Sequence, residues 1–225
     1  IDNDCDGGDS CLASLAARWI FASIEGDQLS DDSGTLLGTL QGGLVNSSEA
    51  SLDFDGIDDF ALFADADDYQ LAAGSVSLWF KPGSIALPQA MLSKDSAGYD
   101  AGGHLTMYLD VGGRVRVRLQ SSTQSYEVAA APVTTNEWHH LAFNFGGNEG
   151  MSLHVDGVLA GANPYTGGLV RNREPLVIGA ATDASGDNTA LPISKPFTGQ
   201  ITEVQIYDRQ LLATELAELM EASAP

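Results

Sequence analysis

"HLTMYLDVGGRVRVRLQ" (residues 104–120) decides the fold. Two runs, "HLTMYLD" and "RVRVRLQ", face each other across Gly112-Gly113, the chemistry of a tight hairpin turn. In the second run Arg114, Arg116 and Arg118 alternate with Val115, Val117 and Leu119, so one face is apolar and the other solvated. Period two means strand, not helix. A basic face on so acidic a chain is expected to pair with neighbouring carboxylates rather than line a groove.

The same texture continues outward in both directions. Upstream, "SLDF" and "FALF" flank a "DGIDD" turn, and "SVSLWF" ends at Lys81-Pro82-Gly83. Downstream come "WHHLAFNF", then "MSLHV" and "VLAG" joined by Asp156-Gly157, a second hairpin signal, then "PLVIG" and "GQITEVQIY". About a dozen turn-spaced strands predict an all-β fold, a two-layer sandwich of antiparallel sheets. Trp79, Trp138, Phe143 and Phe145 are expected in its core, with Trp19 and Phe21 on an edge strand packed against it. In "DRQLLATELAELM", Leu211, Leu212, Leu216 and Leu219 recur at helical spacing, predicting one short C-terminal amphipathic helix that caps the sandwich.

Charge excludes several classes of partner. Ten Lys+Arg stand against 31 Asp+Glu, a formal charge of −21. Such a chain repels nucleic acid and anionic lipid. No apolar run approaches the roughly 18 residues of a membrane span, so direct membrane insertion is not expected. Short carboxylates in glycine-rich loops suit calcium, and solubility in a salty medium is the alternative reading of the charge.

Residues 1–14 read as an acidic arm or linker, and 15–225 as the folded domain. Within the arm, "DNDCDGG" places Asp2, Asp4 and Asp6 at positions 1, 3 and 5 of an EF-hand-type loop, with Gly7 at the sharp turn. Position 12 is Ala13 instead of a bidentate Glu, so a solvated arm stands ahead of a calcium loop. Cys5 and Cys11 fit neither a C-x-x-C redox motif nor a four-ligand zinc site, and a disulfide between them implies export.

Eight stretches, in order, carry a resemblance: "ARWIF…DDSGTLLGTL", "LDFDGIDDFALF", "VSLWFKP", "MLSKD", "EWHHLAFNF", "LHVDG", "LVIG" and "FTGQITEVQIYDRQL". Over residues 17–219 the chain resembles laminin G-like domains of the concanavalin A-like lectin/glucanase superfamily. That resemblance implies a concanavalin A-like jelly roll, found as a binding module in secreted or cell-surface proteins and often as a piece of a longer multidomain chain.

The resemblance also implies sites. Pentraxins, which share the jelly roll, hold calcium between two loops that correspond to "SKDSAGYD" (Asp95, Asp100) and "ATDASGDNTA" (Asp183, Asp187, Asn188). Asp95 is followed by Ser96 where pentraxins carry Asn, so the correspondence is at the level of loops. Other members of the superfamily bind calcium between an early turn and the last strand, which matches Asp55, Asp58 and Asp59 with Glu203, or leaves those acids as a plain turn. Tyr99, Tyr126 and Tyr165 are the aromatics available to stack on a sugar, Tyr99 first because it lies between Asp95 and Asp100.

Catalysis is not expected. Retaining glucanases of this fold need a Glu-x-Asp-x-(x)-Glu strand that sets two carboxylates roughly 5–5.5 Å apart. Only Glu25 and Asp27 begin that pattern, and no second Glu follows. The Gln-x-His strand of related alginate-type lyases is missing, His139 and His140 read as structural, and His104 and His154 are lone strand residues. The expected function is therefore a non-catalytic, calcium-assisted module that binds a glycan or a glycosylated surface protein. A protein-binding or architectural module of an adhesin, with structural calcium only, is the alternative, and a divergent glycosidase or lyase ranks behind both.

Overall fold

Leu105, Met107 and Leu109 turn the same way as Val115, Val117 and Leu119 in the computed structural model, which describes residues 14–21, 24, 26–32, 35–46, 50–182 and 192–225. All six side chains are buried, and at roughly 1.5–3 kcal/mol each they make the hairpin an anchor of the core. Leu109 lies opposite Val115 across a turn closed by Gly113 N donating to Asp110 O at 3.0 Å. The second expected hairpin also forms: Val155 opposes Val158, and Asp156 and Gly157 both take positive φ (50° and 75°), the conformation that matches strand twist.

The strands in chain order are β1 (Leu15–Trp19), β2 (Gln28–Ser30), β3 (Leu37–Gln41), β4 (Val45–Asn46), β5 (Leu52–Asp55) and β6 (Phe60–Phe63). Then come β7 (Ala73–Pro82), β8 (Gln89–Lys94), β9 (Leu105–Leu109), β10 (Arg114–Gln120), β11 (Ser125–Pro132) and β12 (His139–Gly146). The last are β13 (Met151–Val155), β14 (Val158–Asn163), β15 (Leu176–Ile178), β16 (Ala181–Thr182), β17 (Ile193–Ser194) and β18 (Thr198–Tyr207), followed by the helix α1 (Ala213–Ala222). The sequence shows only about a dozen, because runs of two or three residues such as β4, β16 and β17 are too short to display a period.

One sheet runs β14-β13-β12-β7-β18-β5-β4, with β1 also paired to β18; the other runs β11-β10-β9-β8-β15-β6-β3-β2. Pairing is antiparallel, as in β12 with β7 and β10 with β9. Their facing sides hold Leu78, Phe80, Phe143 and Phe145 against Leu92, Met107 and Val117, and Trp19 of edge strand β1 packs 4.6 Å from Phe63. This is the expected jelly-roll sandwich.

Two expected core residues lie elsewhere. Strand alternation that turns Leu78 and Phe80 inward sends Trp79 outward, half-buried, where its Nε1 donates to Ser223 Oγ at 3.0 Å just beyond α1. Trp138 is half-buried just before β12, with the Lys81 ammonium 5.8 Å from its ring centroid. The helix itself covers the outward face of the first sheet through Leu216 and Leu219, against Ala142, Tyr207 and Leu211. Leu212, expected on that apolar stripe, is 67% exposed because it is the extended residue at the N-cap, where Glu215 Oε2 accepts its N–H at 2.6 Å.

Lys94 is a cation with no exposed surface, at the end of β8. Its Nζ donates to Asp65 Oδ1 at 2.6 Å and to the Glu174 carbonyl, and stands 5.7 Å from the Tyr69 ring centroid. Removing one partner leaves a buried charge uncompensated. Asp65→Ala is expected to lower stability by about 3–5 kcal/mol in urea unfolding, while Asp65→Leu/Lys94→Met costs much less. Equal losses for the two proteins would show that packing, not charge pairing, dominates here.

Candidate functional site

The "FDGIDD" turn carries the chain from β5 in one sheet to β6 in the other. Asp55 Oδ1 accepts the Ile57 N–H at 2.7 Å, and Asp59 Oδ2 accepts the Asp55 N–H at 2.9 Å. Gly56 has φ +80°, and a Cβ there would fall 2.0 Å from Thr198 Oγ1, so only glycine closes this turn against the start of β18. One carboxylate oxygen each from Asp55, Asp58 and Asp59 lie within 4.8 Å of one another. Burial pushes the Asp59 carboxyl up, the Asp55 N–H pulls it back, and the charges of Asp55 and Asp58 push it up again; the net shift is upward. Crowded oxygens that hold a proton too tightly also favour a divalent cation, and an all-oxygen set on a short turn suits calcium.

Beside this turn lies a groove of about 510 Å³, within the roughly 300–1,000 Å³ of small-ligand sites. Gly42, Gly43, Gly83 and Gly199 line it, so backbone forms much of its surface, while Asp53, Asp55 and Asp59 supply carboxylates and Val45 an exposed apolar contact. The β3–β4 turn leans on the acidic turn so closely that a Cβ at Gly42 would meet Asp58 O at 2.2 Å. Sequence reading missed these glycines and Asp53, because the groove draws them from four separate parts of the chain.

The structure does not bring Glu203 to this cluster. Asp55 pairs with Thr198, and Glu203 lies five residues further along β18, about 17 Å at 3.3 Å per residue. It sits in a bulge at φ +49°, where burial pushes its carboxyl up against the opposing pull of Arg18, 3.2 Å away.

The other proposed calcium loop is organised around an ion pair. Asp95 is buried and accepts bonds from Arg118 Nη2, Thr106 Oγ1 (2.6 Å) and Ser96 N (3.0 Å), so its oxygens are already engaged. Arg116 likewise meets Asp110 (2.7 Å) and Glu127 (3.1 Å), so two of the three strand arginines pair with carboxylates as expected. Asp100 is exposed, and its Oδ2 accepts from Ser96 Oγ at 3.3 Å. Asp183, Asp187 and Asn188 lie outside the described residues, as do Asp2, Asp4, Asp6, Cys5 and Cys11 of the arm. Tyr126 and Tyr165 stack on each other, centroids 3.8 Å apart and planes at 5°, and pack against the core, which costs each a ring face. Tyr99 is 40% exposed.

Two histidines of β12 have defined partners. His140 Nε2 lies 2.8 Å from Ser77 Oγ, a nucleophile-and-base pair in outline, but both side chains are buried on the face that α1 covers. Burial pushes the His140 imidazole down to about 4, so it stays neutral. His139 Nδ1 meets Asp156 Oδ2 at 2.9 Å, and that bond raises its pKa.

A laminin G family model, described as the concanavalin A-like lectin/glucanases superfamily, matches residues 55–217. No curated protein sequence matches the chain. Among solved structures, domain 4 of AbnA is similar at 20% identity and a TM-score of 0.66, over 92% of this chain and 98% of that one. AbnA is an extracellular GH43 arabinanase from Geobacillus stearothermophilus, and the structure of its domain 4 is a complex with arabinotriose. The receptor-binding domain of a botulinum neurotoxin C/D mosaic serotype is similar at 15% identity and a TM-score of 0.71, over 93% of this chain and 51% of that one. The binding domain of botulinum neurotoxin DC, in complex with rat synaptotagmin II, is similar at 11% identity and a TM-score of 0.71, over 95% and 52%. The chain therefore spans about half the length of these toxin domains, and at such identities the likeness concerns the fold. Among the described residues no helix is long and apolar enough to cross a membrane.

The His139–Asp156 pair makes stability depend on pH in a defined direction. His139 is raised, so its contribution is complete below the unfolded imidazole value near pH 6.5 and is lost as pH rises through the higher folded value. Asp156, raised by burial but lowered on balance by its bonds to His139 and the His140 N–H, contributes above roughly pH 4 and loses that contribution in acid. Asp156→Asn is expected to lower the Tm most between about pH 4.5 and 6.5, with the gap to wild type narrowing as pH rises through the raised His139 value. A pH-independent gap in thermal melts would mean the pair is not charged.

Proposed function

The chain belongs to the concanavalin A-like lectin/glucanases superfamily, and we propose that it is a non-catalytic carbohydrate-binding domain of an exported or cell-surface protein, taking a glycan chain in the groove beside Asp55 and Asp59. The groove carries this reading, because its glycine surface admits a chain of sugar rings to the backbone and its carboxylates accept bonds from sugar hydroxyls. Calcium on Asp55, Asp58 and Asp59 would coordinate vicinal hydroxyls, and Val45 would meet the C–H face of a ring. A charge of −21 favours a neutral glycan over an anionic one. The arabinanase domain solved with arabinotriose makes arabino-oligosaccharides the first probe.

A protein-binding reading comes second, supported by exposed Val158 and Leu159 on edge strand β14. Calorimetric titration with arabinotriose and a glycan array, each run with calcium and with chelator, separates the two. We expect binding that needs calcium, at least tenfold weaker in Asp55→Asn and in Asp59→Asn, with no product released from any glycan bound. An array blank under both conditions would remove the lectin reading and leave the protein-binding one.

A further inference from the structure

We propose that Asp100, His104 and Glu174 form a binding site for a divalent transition-metal ion, zinc or manganese in type, independent of the calcium reading above. These three residues each offer a ligand atom within 4.8 Å of the others. His104 is 2% exposed and Glu174 7%, yet among the described residues Glu174 Oε2 has no hydrogen-bond partner. Buried polar atoms are nearly always partnered, so a buried carboxylate oxygen left over at this cluster points to a missing ligand.

The imidazole is oriented as a metal ligand would be. Its Nε2 edge faces Ser96 Oγ at 3.5 Å, which in turn reaches Asp100 Oδ2 at 3.3 Å. Its Nδ1 edge lies 3.7 Å from Asp95 Oδ1. Metal-binding histidines typically turn their second nitrogen to a carboxylate that fixes the tautomer, and Asp95 is itself held by Arg118, Thr106 and Ser96 N. The carboxylate that looks like a calcium ligand in the sequence would thus support the ligand beside it.

Glu174 is positioned from the other side. Asn172 Oδ1 accepts the Glu174 N–H at 2.9 Å, and Asn172 Nδ2 donates to Lys94 O (2.7 Å) and Gly103 O (2.8 Å), tying the loop before β15 to the residue before His104. Nearby Lys94 has its charge met by Asp65, and Arg173 bonds Asp65 and Asp67. A set of one imidazole and two carboxylates suits zinc, manganese, iron or cobalt, whereas calcium takes oxygen ligands alone. Asp100 is exposed, so positions on the ion would remain open to water or to a ligand group.

The test titrates Zn²⁺, Co²⁺ and Ca²⁺ into the chelator-stripped, tag-free full chain carrying Cys5→Ser and Cys11→Ser, which removes competing thiols. We expect one Zn²⁺ site not displaced by excess Ca²⁺, visible absorption on adding Co²⁺, and at least tenfold weaker binding in His104→Gln and in Asp100→Asn. Asp100→Asn lies on an exposed loop, so it keeps the test decisive if His104→Gln does not fold. No zinc binding, displacement by calcium, or undiminished binding in Asp100→Asn would overturn the site. Loss of zinc in Asp55→Asn instead would move it to the acidic turn, and failure of either site leaves the other standing.

Discussion

Burial of two alternating faces against each other is the constraint from which the rest of the molecule follows. A strand with one apolar side cannot be covered by its own sheet, so Leu105, Met107, Leu109, Val115, Val117 and Leu119 must find Leu78, Phe80, Phe143 and Phe145 on a second sheet. Once that contact forms, every even-numbered side chain of β10 and every odd-numbered one of β7 faces away from the core, and each outward face needs its own solution. The first sheet covers Trp79 and Ala142 with α1. The second keeps Arg116, Arg118, Thr106 and Tyr108 and matches its cations to carboxylates.

Charge is distributed by the same logic. Arg18, Lys94, Arg116, Arg118, Arg173 and Arg209, six of the ten basic side chains, are engaged in ion pairs within the molecule. Little positive charge is left to attract an anionic partner, while the surplus acids leave an outward negative field that draws cations. Among the described residues the clustered acids that these pairs leave over are the Asp55–Asp59 turn and Asp100, the ones the two proposals use. Asp95, the most conspicuous acid of its loop, is consumed by Arg118.

Both candidate sites occur where the chain leaves a sheet. The acidic turn crosses from β5 to β6, and its groove exists because turns elsewhere in the sequence are glycine where they converge on it. The His104 cluster gathers the loop between β8 and β9 with the loop before β15, strands that are neighbours through β8 in the second sheet. Sheet interiors are committed to packing, so loop convergence at their ends is where unpartnered polar atoms can persist.

The sequence by itself determined the all-β class, the two glycine hairpins, the single C-terminal helix and the acidic turn, because periodicity and turn chemistry act within a few residues. It placed Trp79 and Trp138 in the core, since residue type alone does not say which face of a strand packs inward. The family resemblance suggested Glu203 beside Asp55, although register on β18 separates them, and the sequence read His104 as a lone strand residue, although Glu174, seventy positions on, lies beside it. Only the tertiary structure decided those matters, because strand order and register set which loops meet, and neither is encoded in local spacing.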